Sequence, residues 1–475
     1  MTTVAAVAVF ISAATLLAQT PIPVPGQRGQ GARGAQGGQR GAQQPAAPVQ
    51  QAVAPIASAM EVTGPGPFFE TFMDTHDDEK DVQVPAKDVY AKYNYEAKEY
   101  FVSGMTSKGQ PYKTRIVIRL PKNTSRFSGV ILAESMHPSG NPWVFHNTHV
   151  YSMTNGVIGL ELLTAASPGL VASNEARYKD LIIPEGSAND IIAQVGALMK
   201  SQRPDNPLRG LTVRKMILTG QSASAGVAQN YLSNAHMVLR LADMKPIYDG
   251  MLPTSNNGQV PVLDIPTILV PTMRETAQGT GTMQKDNDKL RVYEFAGMAH
   301  IDSRVAGAYY PNPCKLPISR FPNGMFIAVA LDKLIAWIDK GVAPPHADRF
   351  YMDLNEESDG ALFASDEFGN VRGGIRNTYV EVPTKSFHAG NAGADPPIAN
   401  ANPWVANRGV DGVNQLCGLA NYETALNKDQ LKKLYKDPKG YQSKVAERYD
   451  ELVKEGWVLS VYRPMVLAEA AKVSF

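Results

Sequence analysis

A chain of 475 residues with 44% hydrophobic and 19% charged residues can bury a sizeable core, as one large elaborated domain or as two or three ordinary ones. Its formal net charge of +1, with no long basic run in the body, argues against nucleic acid or an anionic membrane as the main partner and favours small or neutral ligands.

The N-terminal run Val4 to Leu17 is apolar and of signal-peptide length, with Ala18 as a small residue at a cleavage point; residues 1–18 therefore read as a leader for export to the periplasm or the medium. That run is too short for a comfortable membrane span, no cysteine follows to carry a lipid, and no stable membrane anchor is expected. Residues 19–58 are a low-complexity mixture of Gly, Gln, Ala, Pro and Arg, read as a flexible tether because nothing in it can form a core. Residues 59–475 are the folded part. They open with the acidic cluster Asp74, Asp77, Asp78, Glu79 and Asp81 around His76, which lacks the ligand spacing of a calcium loop and reads as a solvated face.

Strands are predicted at Arg115 to Leu120 and Val130 to Glu134, followed by the polar turn Ser135 to Asn141. A helix from Trp143 to Asn155 leads to a strand over Val157 to Leu162, and the amphipathic run Ala188 to Ser201 precedes the strand Lys215 to Thr219. The turn Gly220-Gln221-Ser222-Ala223-Ser224 then enters an Ala-rich helix expected to run to about Leu241. Later strands are predicted at Gly250 to Pro253, Thr267 to Val270 and Val292 to Phe295, with helices over Phe326 to Lys340 and near the C-terminus. Strands alternating with helices imply a mainly parallel central sheet covered on both faces, with ligands bound beyond the carboxyl ends of its strands.

Three residues fall just after such strand ends. Ser222, between Gly220 and Ser224, occupies the apex of a strand–turn–helix, where its hydroxyl projects away from the backbone and the opening helix directs N–H groups at whatever the serine attacks. A serine needs a base and the base needs a carboxylate to orient it. His300 follows the strand at Val292, and Glu275 follows the strand at Thr267, which preserves the chain order serine, acid, histidine; Asp249, Asp286 and Asp288 are alternative acids. Backbone N–H groups of Ser135, Met136, His137 and Ala223 are the expected donors to a developing oxyanion, although the HGGG loop is missing.

Gly220 to Ser224, Val292 to Asp302 with its Glu-Phe-Ala-Gly-Met-Ala-His-Ile-Asp, Gly369 to Arg376 and Tyr441 to Trp457 together resemble the exported α/β-hydrolase-domain family of bacterial esterases, over about Glu61 to the end. The resemblance implies an elaborated α/β-hydrolase fold in which Ser222, Glu275 and His300 match the family's nucleophile, acid and base, and in which the chain from Asp348 onward wraps the same core. It implies a small-molecule or polymer-linked ester as substrate and calls for no cofactor. Two positions depart from the wider superfamily: Ser224 stands where glycine is common, and Glu275 where aspartate is. Ser224 is expected to act as a small residue that lets the turn close, so that glycine would serve there.

Two competing readings come from other classes. One is a metal-dependent hydrolase using His146 and His149, which at i and i+3 can share a helix face, with His137; it lacks the H-E-x-x-H glutamate, and no ligand beyond these is evident. The other is a binding module on a hydrolase scaffold without activity. Cys314 and Cys417 form one disulfide if their Cα atoms approach, which spacing does not decide. Trp143, Tyr309, Tyr310 and Trp404 either line an acyl or aromatic pocket or belong to the core.

Overall fold

The computed structural model of the protein describes residues 50–66, 68, 71–73, 83–256, 258–261, 263–277, 284–306, 311–353, 363–396 and 409–475. The leader, most of the tether, the acidic cluster around His76, and Tyr309, Tyr310 and Trp404 lie outside the described residues.

Val130–Ser135 is apolar until its last two residues and buried along its whole length, as a strand covered on both faces must be. It is the fourth of nine strands in one sheet: β1 Ser58–Glu61, β2 Tyr95–Met105, β3 Pro111–Pro121, β4 Val130–Ser135, β5 Ile158–Leu162, β6 Lys215–Gln221, β7 Gly250–Thr254, β8 Thr267–Leu269 and β9 Leu290–Val292. The spatial order is β9-β8-β7-β6-β4-β5-β3-β2-β1. Strands β4 to β9 run parallel to their neighbours, whereas β1, β2 and β3 add an antiparallel edge beside β5.

Successive residues of the parallel strands enter opposite cores. Val130, Leu132, Ile217, Leu252 and Ile268 pack on one face, and Ile131, Ala133, Met216, Leu218, Met251 and Leu269 on the other. The first face is covered by α1 (Trp143–Thr154) and α5 (Asn323–Lys340), the second by α2 (Ala188–Met199) and α3 (Ala223–Tyr231). The short α4 (Met273–Ala277) follows β8. Of the C-terminal helices α6 (Gly409–Ala420), α7 (Pro438–Glu455) and α8 (Arg463–Lys472), the last two place Tyr449, Leu452, Val466 and Ala470 in the same apolar cluster as Val130 and Ile217. The charges that interrupt β2, β3 and β5 are paired inside the antiparallel edge: Arg115 and Arg119 meet Glu161 at 2.6 and 2.8 Å, and Arg177 meets Glu99 at 2.6 Å.

Three expectations need correction. The end of the stretch read as tether belongs to the fold, because Ala52–Val53 pairs in parallel with Leu239–Arg240 and the small side chains of Ala54 and Ala57 bury in the second core. The helix after Ser222 stops at Tyr231, passes through a π-helical turn at Leu232–His236, and gives way to that two-residue strand; buried His236 is held there by Asp264 at 2.6 Å. The last strand ends at Val292, and Phe295 instead bridges to Ile375.

Candidate active site

Between the end of β6 at Gln221 and the start of α3 at Ala223, Ser222 stands alone with φ 55° and ψ −116°, a backbone conformation that only a sharp turn imposes on a non-glycine residue. Its amide donates to the Thr254 carbonyl at 3.0 Å, and its own carbonyl accepts from Gly226 at 3.1 Å and from Asn256 Nδ2 at 3.1 Å. The turn closes over Gly220, where a Cβ would lie 2.3 Å from the Ser224 carbonyl carbon. Ser224 does more than stay small. It is buried, its Oγ accepts from the Gln221 amide at 2.9 Å and donates to the Gln221 carbonyl at 2.9 Å, so the hydroxyl clamps the turn from inside.

At the end of the next strands, Glu275 on α4 and His300 in the loop beyond β9 meet: Nδ1 of His300 lies 2.6 Å from Glu275 Oε1. The other carboxylate oxygen accepts from Thr272 through its amide at 3.0 Å and its hydroxyl at 2.5 Å. Burial acts to raise the Glu275 pKa, but the charge on His300 and the hydrogen bonds from His300 and Thr272 outweigh it and hold the carboxyl below its ordinary value. The pair is tied to the serine turn. Gln221 Nε2 and Ser255 Oγ donate to the His300 carbonyl at 2.9 and 3.0 Å, and Asn147 on α1 donates to Gln221 Oε1 at 2.8 Å. The alternative acids are elsewhere: Asp249 pairs with Lys200 at 2.8 Å, Asp286 with His346 at 2.7 Å, and Asp288 is exposed.

Two of the amides expected to face the site from the loop after β4 are already bonded. Met136 donates its N–H to the Leu162 carbonyl at 2.7 Å and His137 to the Asn141 carbonyl at 3.1 Å, because the chain continues in sheet register for one residue and then folds back into a tight turn. Ser135 closes on Thr164 through the hydroxyls at 2.5 Å. The Ala223 amide, in contrast, opens α3, where first-turn N–H groups have no intrahelical acceptor. Trp143 donates from Nε1 to Ser139 Oγ at 2.8 Å, bracing the loop. His146 and His149 contact each other's turn, with His149 Nδ1 2.6 Å from the His146 carbonyl; among the described residues no three His, Cys, Asp or Glu side chains converge as a metal-ligand set.

Sequence reasoning missed Glu134, a carboxyl fully buried under the serine turn. Its Oε2 accepts from the amides of Val144 and Phe145 at 2.9 and 3.3 Å at the start of α1, and its Oε1 lies 3.4 Å from Ser224 Oγ. Burial, opposed by those two amides and reinforced by the charge of Glu161, pushes its pKa up to about 8. The available signal was a lone acid near the end of an otherwise apolar strand.

A parallel sheet with a serine at a strained strand-to-helix turn, and a paired carboxylate and imidazole at neighbouring strand ends, defines an α/β hydrolase. The profile of the alpha/beta hydrolase domain family matches residues 62–468, and the chain belongs to that family. No curated protein sequence matches the chain. Among solved structures it is similar to brefeldin A esterase, a bacterial homologue of human hormone sensitive lipase, at 9% identity over 34% of this chain and 40% of that one, with a TM-score of 0.22. It is also similar to oligopeptidase B from Leishmania major, at 8% identity over 53% of this chain and 37% of that one, with a TM-score of 0.31. The chain thus spans well under half the length of either.

Proposed function

We propose that the protein is an exported serine hydrolase that cleaves carboxylic esters through Ser222, His300 and Glu275. The observation that carries this reading is the bonded Glu275–His300 pair, 2.6 Å apart, tied through Gln221 to a serine held at positive φ. His300, oriented by Glu275, takes the Ser222 proton as Oγ forms a bond to the ester carbonyl carbon. The tetrahedral adduct collapses with cleavage of the bond to the alcohol oxygen, which leaves with the proton from His300. Water then attacks the acyl-serine by the same route, giving the acid and free Ser222.

The N-terminal apolar leader supports export, and so does the Cys314–Cys417 disulfide, since such bonds persist in oxidising compartments. The substrate is a small or polymer-linked ester, with no nucleic acid, membrane anchor or cofactor called for. Ser222→Ala should abolish hydrolysis of a nitrophenyl ester and labelling by a fluorophosphonate while leaving Tm within a few degrees of wild type. Turnover at the wild-type rate in that variant would sink the assignment.

A further inference from the structure

We propose that the imidazole of His137, rather than a backbone amide of its loop, is the second oxyanion donor beside the Ala223 N–H. This rests on the serine reading above and deepens it. The loop after β4 is where such a donor belongs, yet the amides of Met136 and His137 are bonded to the carbonyls of Leu162 and Asn141. With those two amides committed, the His137 side chain is a donor that the same loop still offers to the developing charge.

The His137 ring is placed and prepared for that task. Strands β4 and β6 are adjacent and in parallel register, with Glu134 opposite Thr219, so the chain leaving β4 runs beside the turn that carries Ser222. The ring is also within electrostatic reach of His300, whose charge acts on it. Its tautomer follows from its partners. The Ser139 amide donates to Nδ1 at 3.1 Å, and a backbone N–H has no choice of role, so Nδ1 carries no proton. Ser139 Oγ lies 2.7 Å from the same nitrogen and itself accepts from Trp143 Nε1, which leaves its hydroxyl proton for the ring. The ring proton therefore sits on Nε2. Burial and, second, the charge on His300 push the His137 pKa down to about 4, which keeps the ring neutral at the pH where His300 must act as a base.

Among the described residues Nε2 has no hydrogen-bond partner, so an N–H of fixed position is left for a ligand. The same tautomer prevents His137 from acting as a base, since its lone pair is already occupied at Nδ1. A neutral donor held by Ser139 and Trp143 before substrate arrives needs no reorganisation as the carbonyl oxygen gains charge.

The test compares His137→Phe, His137→Gln and Ser222→Ala in the full chain, by kcat and KM for a nitrophenyl ester with Tm as the check on folding. His137→Phe keeps the ring shape without the donor and should lower kcat by roughly 10²–10³-fold with KM nearly unchanged. His137→Gln, whose amide can present an N–H, should recover at least tenfold of that loss. A His137→Phe enzyme within threefold of wild type would overturn the proposal, as would a His137→Gln enzyme no better than His137→Phe at equal Tm. If His137→Phe is misfolded, the Gln variant decides alone: a kcat below a thousandth of wild type at native Tm also overturns it. Loss of all activity in Ser222→Ala alongside an unaffected His137→Phe would leave the serine reading standing, whereas activity in Ser222→Ala would remove both.

Discussion

At Gly220 an added methyl group would lie 2.3 Å from the Ser224 carbonyl carbon and 2.4 Å from the Ala225 amide nitrogen, and neither backbone atom can retreat without opening the first turn of α3. That turn sets the positive φ of Ser222 next door. Gly220→Ala should therefore cost about 1–3 kcal/mol of stability through overpacking. It should also misplace Ser222 enough to lower kcat by roughly 100-fold, since an error of about 1 Å at a reacting atom has that effect. Thermal melts with ester kinetics check both. A variant with native kcat would show that the turn has slack the geometry does not suggest. At Ser224 the same close packing changes what substitution means. Glycine would satisfy the space but leave the buried Gln221 amide without its 2.9 Å partner, so the hydroxyl is part of the turn and size alone does not describe the position.

Between elements, Glu134 joins the N-terminus of α1 to the turn that opens α3. Burial keeps a carboxyl at that place neutral against the two amides on Oε2, which favour its charged form, and a proton on Oε1 can be given to Ser224 Oγ, whose own proton goes to the Gln221 carbonyl. With the folded pKa raised from 4.5 to about 8, its protonated form stabilises the fold fully below the unfolded value, and that contribution is lost as pH rises to about 8. Glu134→Gln keeps both sets of contacts without titrating. Its Tm relative to wild type should rise between about pH 4.5 and 8 and then level off, while Glu134→Ala should lie on the order of 1–3 kcal/mol below Glu134→Gln at every pH, since neither of the two titrates. A flat difference between the Gln variant and wild type would mean that Glu134 is ionised throughout. The contrast with Ser222 explains what the chain discloses before folding. The strand–turn–helix around Ser222 is local, and the order serine, acid, histidine follows from residues placed just after strands, so Glu275 and His300 were legible. The partners of Glu134 lie 10 and 90 residues away, and the committed amides of Met136 and His137 depend on where β5 and a turn fall in space.

Over the whole molecule, the C-terminal third reaches back to the site through α6. Cys417 on this helix is bonded to Cys314 across a sequence separation of 103, with the Cα atoms 5.6 Å apart, a proximity that no local pattern encodes. Around the bond Ile318, Leu416 and Ala420 form a small apolar cluster, against which Ile301 packs. Two carbonyls near the end of α6 hold the residues beside the acid and the base: Gly418 accepts from Arg274 Nη1 at 2.9 Å, and Leu419 accepts from the Ile301 amide at 3.3 Å. Glu275 and His300 are the immediate chain neighbours of those donors. Fastening α6 therefore fastens the distance between the two. Replacing both cysteines by serine removes a closure worth roughly 4–5 kcal/mol for a loop of this length on chain-entropy grounds, with losses of about 2–5 kcal/mol usual in practice. If α6 only adds stability, the double variant should melt earlier yet turn over at the wild-type rate at 25 °C. If it positions the pair, kcat should fall several-fold at 25 °C, well below the melting transition, with KM little changed. We expect the second outcome. The wild-type enzyme treated with reductant should reproduce it, and the double variant should be indifferent to reductant; equal kcat in all three samples would confine the disulfide to stability.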